Sequence, residues 1–185
     1  QKLRNLMKEK GIDAYYIPTS DFHNSEYVSD YFKARAYMSG FKGSAGFLLI
    51  TQKEACLWTD ARYFIIAANA IKGSEFKLMK MNEPGVPTLD EYIKMNLNEN
   101  DTLGFDGRVV TATQFKHFKE SFKLNFKCDE DLVGMIWEDR PALSDKKAFF
   151  MEEQYSGKKT SEKLEDIRKV MKEHHADVHV VSTLD

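Results

Sequence analysis

The sequence has little cysteine, little net charge and no long apolar run. Its two cysteines, Cys56 and Cys128, are far apart, and each lies within an apolar, strand-like stretch. This placement predicts reduced, buried thiols in a cytoplasmic protein rather than a disulfide framework. The formal net charge of −2 offers no general attraction to nucleic acid or to an anionic membrane. No apolar stretch approaches the roughly 20 residues that cross a bilayer. The chain starts at Gln1 without a secretory signal pattern, which suggests a start that has already been trimmed.

The apolar residues that are present alternate between strand-like and helix-like patterns. Six stretches have the composition of strands: 14–18, 46–51, 54–59, 76–81, 102–106 and 124–128. The second and third are separated only by a short polar turn, which predicts a β-hairpin. Amphipathic segments lie between most of the others, and Thr59 and Thr88 are placed to cap two of them. Strands alternating with helices around one hairpin predict an α/β domain with a mixed β-sheet flanked by helices.

The composition changes after Pro141, and this change predicts a domain boundary. We expect one domain over residues 1–143, a linker over 144–160, and a new amphipathic helix beginning at a Ser161 cap. Residues 167–185 repeat the order and several residues of 3–21, which favours a duplication over chance similarity. Residues 161–185 are therefore predicted to be the first helix and strand of a second, related domain that is cut short.

Two groups of residues have side chains that could bind a metal. One is the loop group of Asp21, His23, Glu26 and Asp30. Loop carboxylates of this kind more often serve as caps and turn residues, so we favour that interpretation. The other group contains His175 and His179, which have helical chelate spacing. Because His179 falls in the predicted strand, we expect surface histidines and no metal site.

Two further patterns have structural explanations. The glycines at 40, 43 and 46 precede a strand, whereas a phosphate-binding loop follows one, so they predict tight turns and close packing. Phenylalanines and lysines alternate over residues 115–123, which superficially resembles a nucleic-acid surface. At helical spacing the phenylalanines share one face and the lysines another, as on a helix that packs on a core.

Arg62 is the candidate functional residue of the chain. It lies in the first predicted turn after Thr59, where a cation opposes the helix dipole. One interpretation is a structural ion pair with Asp60 or Glu26. The other is a guanidinium held at a helix start to meet a carboxylate or carbonyl of a ligand. The residues alone support both equally.

Five stretches taken together resemble a known family. They are HNSEY at 23–27, RAYMSGFKGSAG at 35–46, WTDARYF at 58–64, LGFDGR at 103–108 and IWEDRP at 136–141. In this order they are similar to the N-terminal domain of Xaa-Pro aminopeptidases (aminopeptidase P) of the creatinase/prolidase family, and most of all to the three-domain cytosolic type. The resemblance covers essentially the whole chain.

The resemblance implies a non-catalytic, ribonuclease H-like domain that walls the active site of a larger peptidase. The parent enzyme would release the first residue of peptides that have proline second, using two metal ions, usually manganese, held by a later domain. It would act in the cytoplasm, as a homodimer. Arg62 matches the arginine with which the family contacts substrate, which favours the ligand-facing interpretation. The family usually has glycine where this chain has Ala61, so the presentation of Arg62 is the open point. No catalytic or metal-binding residue is expected in this chain.

Two other functions fit the same resemblance. A histone-chaperone subunit carries this fold without catalysis, which would make the chain a peptide- or histone-binding module. A prolidase acting on dipeptides is the second alternative. The apparent second domain argues for the longer aminopeptidase type.

Overall fold

The computed structural model describes residues 1–181 and divides the chain into two compact units, 1–143 and 144–185. The first unit is built on one six-stranded sheet in the order β4-β3-β2-β1-β5-β6. Its strands are β1 Ala14–Ile17, β2 Phe47–Thr51, β3 Ala55–Thr59, β4 Phe76–Lys80, β5 Thr102–Gly104 and β6 Asn125–Lys127. Strand β2 is antiparallel to both neighbours, and the other neighbouring pairs are parallel. The predicted mixed sheet and the β2–β3 hairpin are confirmed.

Helices cover this sheet on both faces. They are α1 Lys2–Glu9, α2 Ala34–Ser39, α3 Phe64–Ala70, α4 Leu89–Asn96, α5 Ala112–Ser121 and α6 Leu132–Ile136, with 3-10 turns at Asp30–Phe32 and Ala61–Tyr63. Thr88 caps α4 as predicted, in a capping box with Glu91. The predicted Thr59 cap is wrong. Thr59 ends β3 and donates its hydroxyl to the Ala45 carbonyl at 2.8 Å, while Asp60 caps the following turn.

The core lies on both faces of β1, whose four residues are all buried. Tyr15 packs into one apolar cluster with α1 and α6, and Tyr16 packs into the other with α4 and α5. Phe118 and Phe122 of the α5 region are buried in the second cluster, whereas the lysines of that helix are exposed. The core-facing interpretation of this helix is confirmed.

The two cysteines differ in environment, and the expectation of two buried thiols is half wrong. Cys56 in β3 is buried, and Cys128 is exposed. Strand β6 is an edge strand that ends at Lys127, so the residue after it has no second neighbour to cover it. In residues 1–181 no helix is long and apolar enough to cross a membrane.

The second unit contains helices α7 Glu153–Ser156 and α8 Thr160–Glu173. Helix α8 has Lys159 at its N-cap position, so the Ser161 cap is wrong by two residues. The predicted strand is not formed over residues 178–181, and residues 182–185 lie outside the described part of the chain. A strand needs a hydrogen-bonded neighbour, and the described part of this unit offers no other strand to pair with.

Helices α1 and α8 end in the same hydrogen-bonded turn, 164 residues apart. The N–H groups of Lys10 and Ile12 donate to the carbonyls of Leu6 and Met7, at 3.0 and 2.8 Å. The corresponding N–H groups of His174 and Ala176 donate to the carbonyls of Val170 and Met171, at 3.1 and 2.9 Å. The residue inside each turn is left-handed, with φ of 62° at Gly11 and 53° at His175. The sequence repeat is therefore also a repeat of local structure.

Gly46, at the start of β2, generates the first prediction. Its φ is +143°, and an added Cβ would lie 2.6 Å from the Trp58 carbonyl oxygen. Gly73 also has a positive φ, +78°, but an added Cβ there meets nothing within 4 Å. Gly46→Ala should lower the free energy of unfolding by about 2–3 kcal/mol, against about 1 kcal/mol for Gly73→Ala, because only the former adds a backbone clash. Urea denaturation of both variants measures this, and equal losses would contradict it.

Candidate functional site

The candidate site lies along the edge of the sheet where the parallel strands end. In open α/β sheets this carboxyl edge is the usual place for ligands. Three cavities of about 510, 220 and 580 Å³ follow it. The first and second share Thr19 and Ser44, and the second and third share Tyr16 and Phe47. Together they form a nearly continuous trench across the ends of β1 and β3, which we call the carboxyl-edge trench.

Arg62 stands directly after β3 and pairs with Asp60. Its Nε and Nη2 donate to the two carboxylate oxygens at 2.9 and 2.8 Å, and its backbone N–H donates to the same group at 3.0 Å. The Asp60 contact raises the pKa of Arg62, and the hydrogen bond from Arg62 lowers the pKa of Asp60. The Arg62 side chain remains 67% exposed. The ion pair between Arg62 and Asp60, one of the two structural pairs predicted, is therefore formed. It leaves the Arg62 side chain accessible to solvent.

Ala61 is no obstacle to this arrangement. It begins the 3-10 turn and is not among the described residues with a positive φ. A non-glycine side chain therefore fits without backbone strain. The departure from the family's glycine leaves the Arg62 turn intact.

Arg62 is connected to the trench through Tyr63. The Arg62 guanidinium lies 5.3 Å from the centre of the Tyr63 ring. The Tyr63 hydroxyl is 2.8 Å from the hydroxyl of Ser44, which lines two of the cavities. Hydrogen bonding to Ser44 lowers the pKa of Tyr63, and the charge of Arg62 acts in the same direction. Ser44 lies where the first two cavities of the trench meet, and with Tyr63 and Arg62 it forms a polar wall beside them.

A buried arginine, Arg35 of α2, holds the loops around that wall. It is 4% exposed. Its Nε donates to the Thr19 hydroxyl at 2.6 Å, Nη1 to the Phe41 carbonyl at 3.0 Å, and Nη2 to the Gly43 carbonyl. None of these partners is a carboxylate, and burial lowers the pKa of Arg35 to about 10. Arg35 therefore ties three separate loop positions together, with its charge buried over the Phe41 ring and without an acidic partner among the described residues.

Sequence reasoning missed Arg108, which repeats the geometry of Arg62 after β5. Its Nε and Nη2 contact the Asp106 carboxylate, both at 2.9 Å, and its backbone N–H does so at 3.0 Å. It also lies 3.4 Å from the Asp131 carboxylate and 5.4 Å from the centre of the Phe22 ring. The sequence pattern that identifies it is an Asp-x-Arg triplet, which follows β3 at residues 60–62 and β5 at residues 106–108.

The proposed turn role of the acidic loop is confirmed for Asp21. Its carboxylate accepts hydrogen bonds from the N–H groups of His23 and Ser25, both at 2.9 Å. Asp30 pairs with Lys33 at 2.5 Å. Within residues 1–181, no three His, Cys, Asp or Glu side chains lie together as a potential metal site.

Comparison with known proteins decides the family. The model of the creatinase/prolidase N-terminal domain matches residues 1–138, and a second model with the same description matches 139–185. The chain belongs to the creatinase/prolidase N-terminal domain family. This finding confirms the resemblance seen in the motifs and the fold class that it implied.

The relatives carry consistent names. Xaa-Pro aminopeptidase 1 of Dictyostelium discoideum is 37% identical over all of this chain and 31% of its own length. Aminopeptidase P1 of Arabidopsis thaliana is 38% identical over 99% of this chain and 29% of its own. The chain thus spans less than a third of the length of these relatives.

Solved structures show the same fold. A cytosolic X-prolyl aminopeptidase of Caenorhabditis elegans, described as having a di-nuclear active site, superposes with a TM-score of 0.77 at 33% identity. That match covers 90% of this chain and 28% of the other. A Xaa-Pro dipeptidase of Bacillus anthracis gives 0.53 at 27% identity over 73% of this chain and 34% of the other.

The contrast between Arg35 and Arg62 gives a stability prediction. Arg35→Met should lower the free energy of unfolding by about 3 kcal/mol, because it leaves three acceptors around α2 without their donor. Arg62→Met should leave the urea midpoint nearly unchanged, because an exposed ion pair contributes little. Equal shifts of the two midpoints would show that Arg35 is not the residue that holds these loops.

Proposed function

We propose that this chain is the N-terminal part of a metal-dependent Xaa-Pro aminopeptidase, a hydrolase that releases the first residue from peptides with proline second. The observation that carries the proposal is the family membership together with relatives of that name across the full length of the chain. In the proposal, this part walls the active site, restricts access to short peptides and does not itself catalyse. The enzyme is cytoplasmic and forms a homodimer.

Residues 161–185 begin a second, related domain in this proposal. The support is the helix end that α1 and α8 share, and the second family match over 139–185. In α1 the apolar face, with Leu3 and Met7, is buried against the sheet. In α8 the corresponding face carries Ile167 and Val170, which are exposed in the described residues. The continuation of the second domain would cover that face, as the first sheet covers α1.

The metal ions belong to the rest of the parent protein. The Caenorhabditis elegans neighbour is described as di-nuclear, and two divalent ions, manganese by family resemblance, are proposed here. The described residues of this chain offer no group of ligands for them. When bound, such ions would activate water for peptide hydrolysis in the later domain.

Arg62 is proposed to contact the substrate. An arginine has five N–H donors, and Asp60 engages two of those on the side chain, which leaves three. Asp60 thus orients the guanidinium while its remaining edge is free to donate to a peptide carbonyl or carboxylate. The Arg62 side chain is 67% exposed at the carboxyl edge, next to the Tyr63–Ser44 wall.

The comparisons favour the aminopeptidase over the dipeptidase alternative. The relatives from Dictyostelium discoideum and Arabidopsis thaliana, which match 99% or more of the chain, are both named aminopeptidases. A non-catalytic binding module with the same fold would lack the metal ligands downstream. Sequencing beyond residue 185 of the parent distinguishes it directly.

The isolated chain should be inactive. With manganese added, the 185-residue chain should not hydrolyse an Xaa-Pro peptide, because its described residues offer no group of metal ligands. Release of the first residue is measured by chromatography, with the full-length parent as the positive control. Turnover that copurifies with the isolated chain would contradict the assignment.

Substitution of Arg62 tests its role in the full-length parent. Arg62→Lys keeps the charge but removes the planar donor edge, and kcat/KM should fall by about tenfold or more. Arg108→Lys is the matched control, because Arg108 has the same local geometry after another strand and no proposed contact with substrate. Equal effects of the two substitutions, or an unchanged kcat/KM for Arg62→Lys, would remove the proposed role.

A further inference from the structure

The 580 Å³ cavity of the trench lies at the beginning of α4 and α5 and has an aromatic floor. Tyr16, Phe47 and Trp58 form this floor. Phe47 stacks on Trp58 with ring centres 5.3 Å apart and an angle of 14°, and Tyr16 lies 5.6 Å from Phe47. Apolar side chains, Val86 and Leu89 among them, line one side. The floor therefore suits a flat or branched apolar group. We call this cavity the aromatic groove.

Tyr16 brings an unused hydroxyl to the aromatic groove. The residue is 8% exposed, yet its hydroxyl makes no hydrogen bond within residues 1–181. The hydroxyl is not one of the fully buried unpaired atoms of the described residues, so it keeps accessible surface and can be reached from a cavity that Tyr16 lines. Burial raises the pKa of Tyr16, so the group stays protonated and can donate.

The neighbouring Tyr15 shows the usual arrangement. Its hydroxyl lies on the opposite face of the sheet, donates to the Glu130 carbonyl at 3.0 Å and accepts from the Leu132 N–H at 3.0 Å. It anchors the start of α6. Adjacent tyrosines of one strand thus differ in one respect: the hydroxyl of Tyr15 serves the fold, and that of Tyr16 does not.

The N-terminus of α5 lines the same groove with free donors. Thr111 caps the helix by accepting the Gln114 N–H at 3.1 Å. The N–H groups of Ala112 and Thr113 make no hydrogen bond within the described residues. The first turn contains no acidic residue, so the positive end of the helix dipole is not neutralised. The start of α4 differs, because Asp90 and Glu91 lie in its first turn.

We propose that the aromatic groove binds a carboxylate attached to an apolar group, the chemistry of a peptide's C-terminal residue. The carboxylate accepts hydrogen bonds from the Tyr16 hydroxyl and from the first N–H groups of α5, and the apolar group packs on Phe47. This site is separate from Arg62. The test of this site does not depend on the proposed peptidase activity, because ligand binding is measured on the 185-residue chain itself.

The Asp90 carboxylate restricts where in the groove a ligand carboxylate can bind. Asp90 also lines the groove, and its carboxylate is 2.7 Å from His117 Nε2. A second carboxylate beside Asp90 would be repelled. Gln114 lines both this groove and the adjoining 220 Å³ cavity, so the ligand's chain can leave in that direction along the trench.

The experiment compares N-acetyl-L-leucine with N-acetyl-L-leucinamide, which differ only in the carboxylate. Each is titrated into the ¹⁵N-labelled 185-residue chain. The acid should shift the amide resonances of Ala112 and Thr113 in a saturable manner, and the amide should bind at least about tenfold more weakly. Equal binding of the two probes, or no saturable shift up to the solubility limit of the acid, overturns the proposal.

Two tyrosine variants separate ligand binding from folding. Tyr16→Phe removes a hydroxyl that has no partner in the fold, so the melting temperature should hold while affinity for the acid falls about tenfold. Tyr15→Phe should do the opposite, with a lower melting temperature and unchanged affinity. Unchanged affinity in Tyr16→Phe would refute the assigned donor.

A third variant tests the helix end without loosening it. Thr113→Asp places a negative charge in the first turn of α5, where it favours the helix but repels an anion. Binding of the acid should be lost while the chain stays folded. Retained binding would show that the carboxylate does not lie at α5.

Discussion

The pairing of β1 determines where everything else in the first unit can lie. All four of its residues are buried, and it hydrogen-bonds to antiparallel β2 on one side and parallel β5 on the other. Because β1, β3, β4 and β5 run in the same direction, their carboxyl ends meet at one edge. Loops that are distant in sequence, such as those at Thr19, Ser44 and Thr111, are thereby brought to one trench. The site is a consequence of strand direction more than of any single motif.

Arginines hold this edge in two physically different ways. Arg35 is buried and donates to a hydroxyl and two carbonyls, so its removal would expose unsatisfied groups in the interior. Arg62 and Arg108 are exposed and are held by aspartates two residues before them. Their ion pairs contribute little to stability, since water screens them. Because the fold depends little on either ion pair, the exposed guanidinium of Arg62 can have a functional role without a cost in stability.

Local features of this fold were predictable from the sequence, and long-range ones were not. The six strands, the Thr88 cap and the apolar face of α5 follow from the periodicity and chemistry of neighbouring residues. The cap predicted at Thr59 lies one residue later, at Asp60. Thr59 instead donates its hydroxyl to the Ala45 carbonyl, a partner that only the folded sheet supplies. The exposure of Cys128 depends on β6 being an edge strand, which composition does not reveal.

In the candidate site, too, local features were predictable from the sequence and long-range ones were not. The sequence motif identifies Arg62 and its two possible roles. Whether its ion-pair partner is Asp60 or Glu26 depends on the folded structure, which pairs it with Asp60. The second Asp-x-Arg turn, at Arg108, also follows a strand, so the sequence pattern alone contains it. Tyr16 was not readable at all. Nothing local distinguishes it from Tyr15, and the difference arises from which face of the sheet each one occupies.

The repeat at residues 167–181 shows why a helix end can be predicted from local sequence and a strand cannot. The turn that ends α8 reproduces the one that ends α1, including a left-handed residue, even though His175 replaces Gly11 and pays a conformational cost. A helix end is satisfied by its own last turn, so the local sequence suffices to form it. The apolar run after α8 begins at Val178, which corresponds to Ala14 at the start of β1. Within the described residues this run pairs with no strand. β1 is a strand because β2 and β5 accept its hydrogen bonds, and residues 178–181 have the composition of a strand without those neighbours. The helix end therefore depends on local sequence alone, whereas the strand depends on partners that residues 178–181 do not have within the described residues.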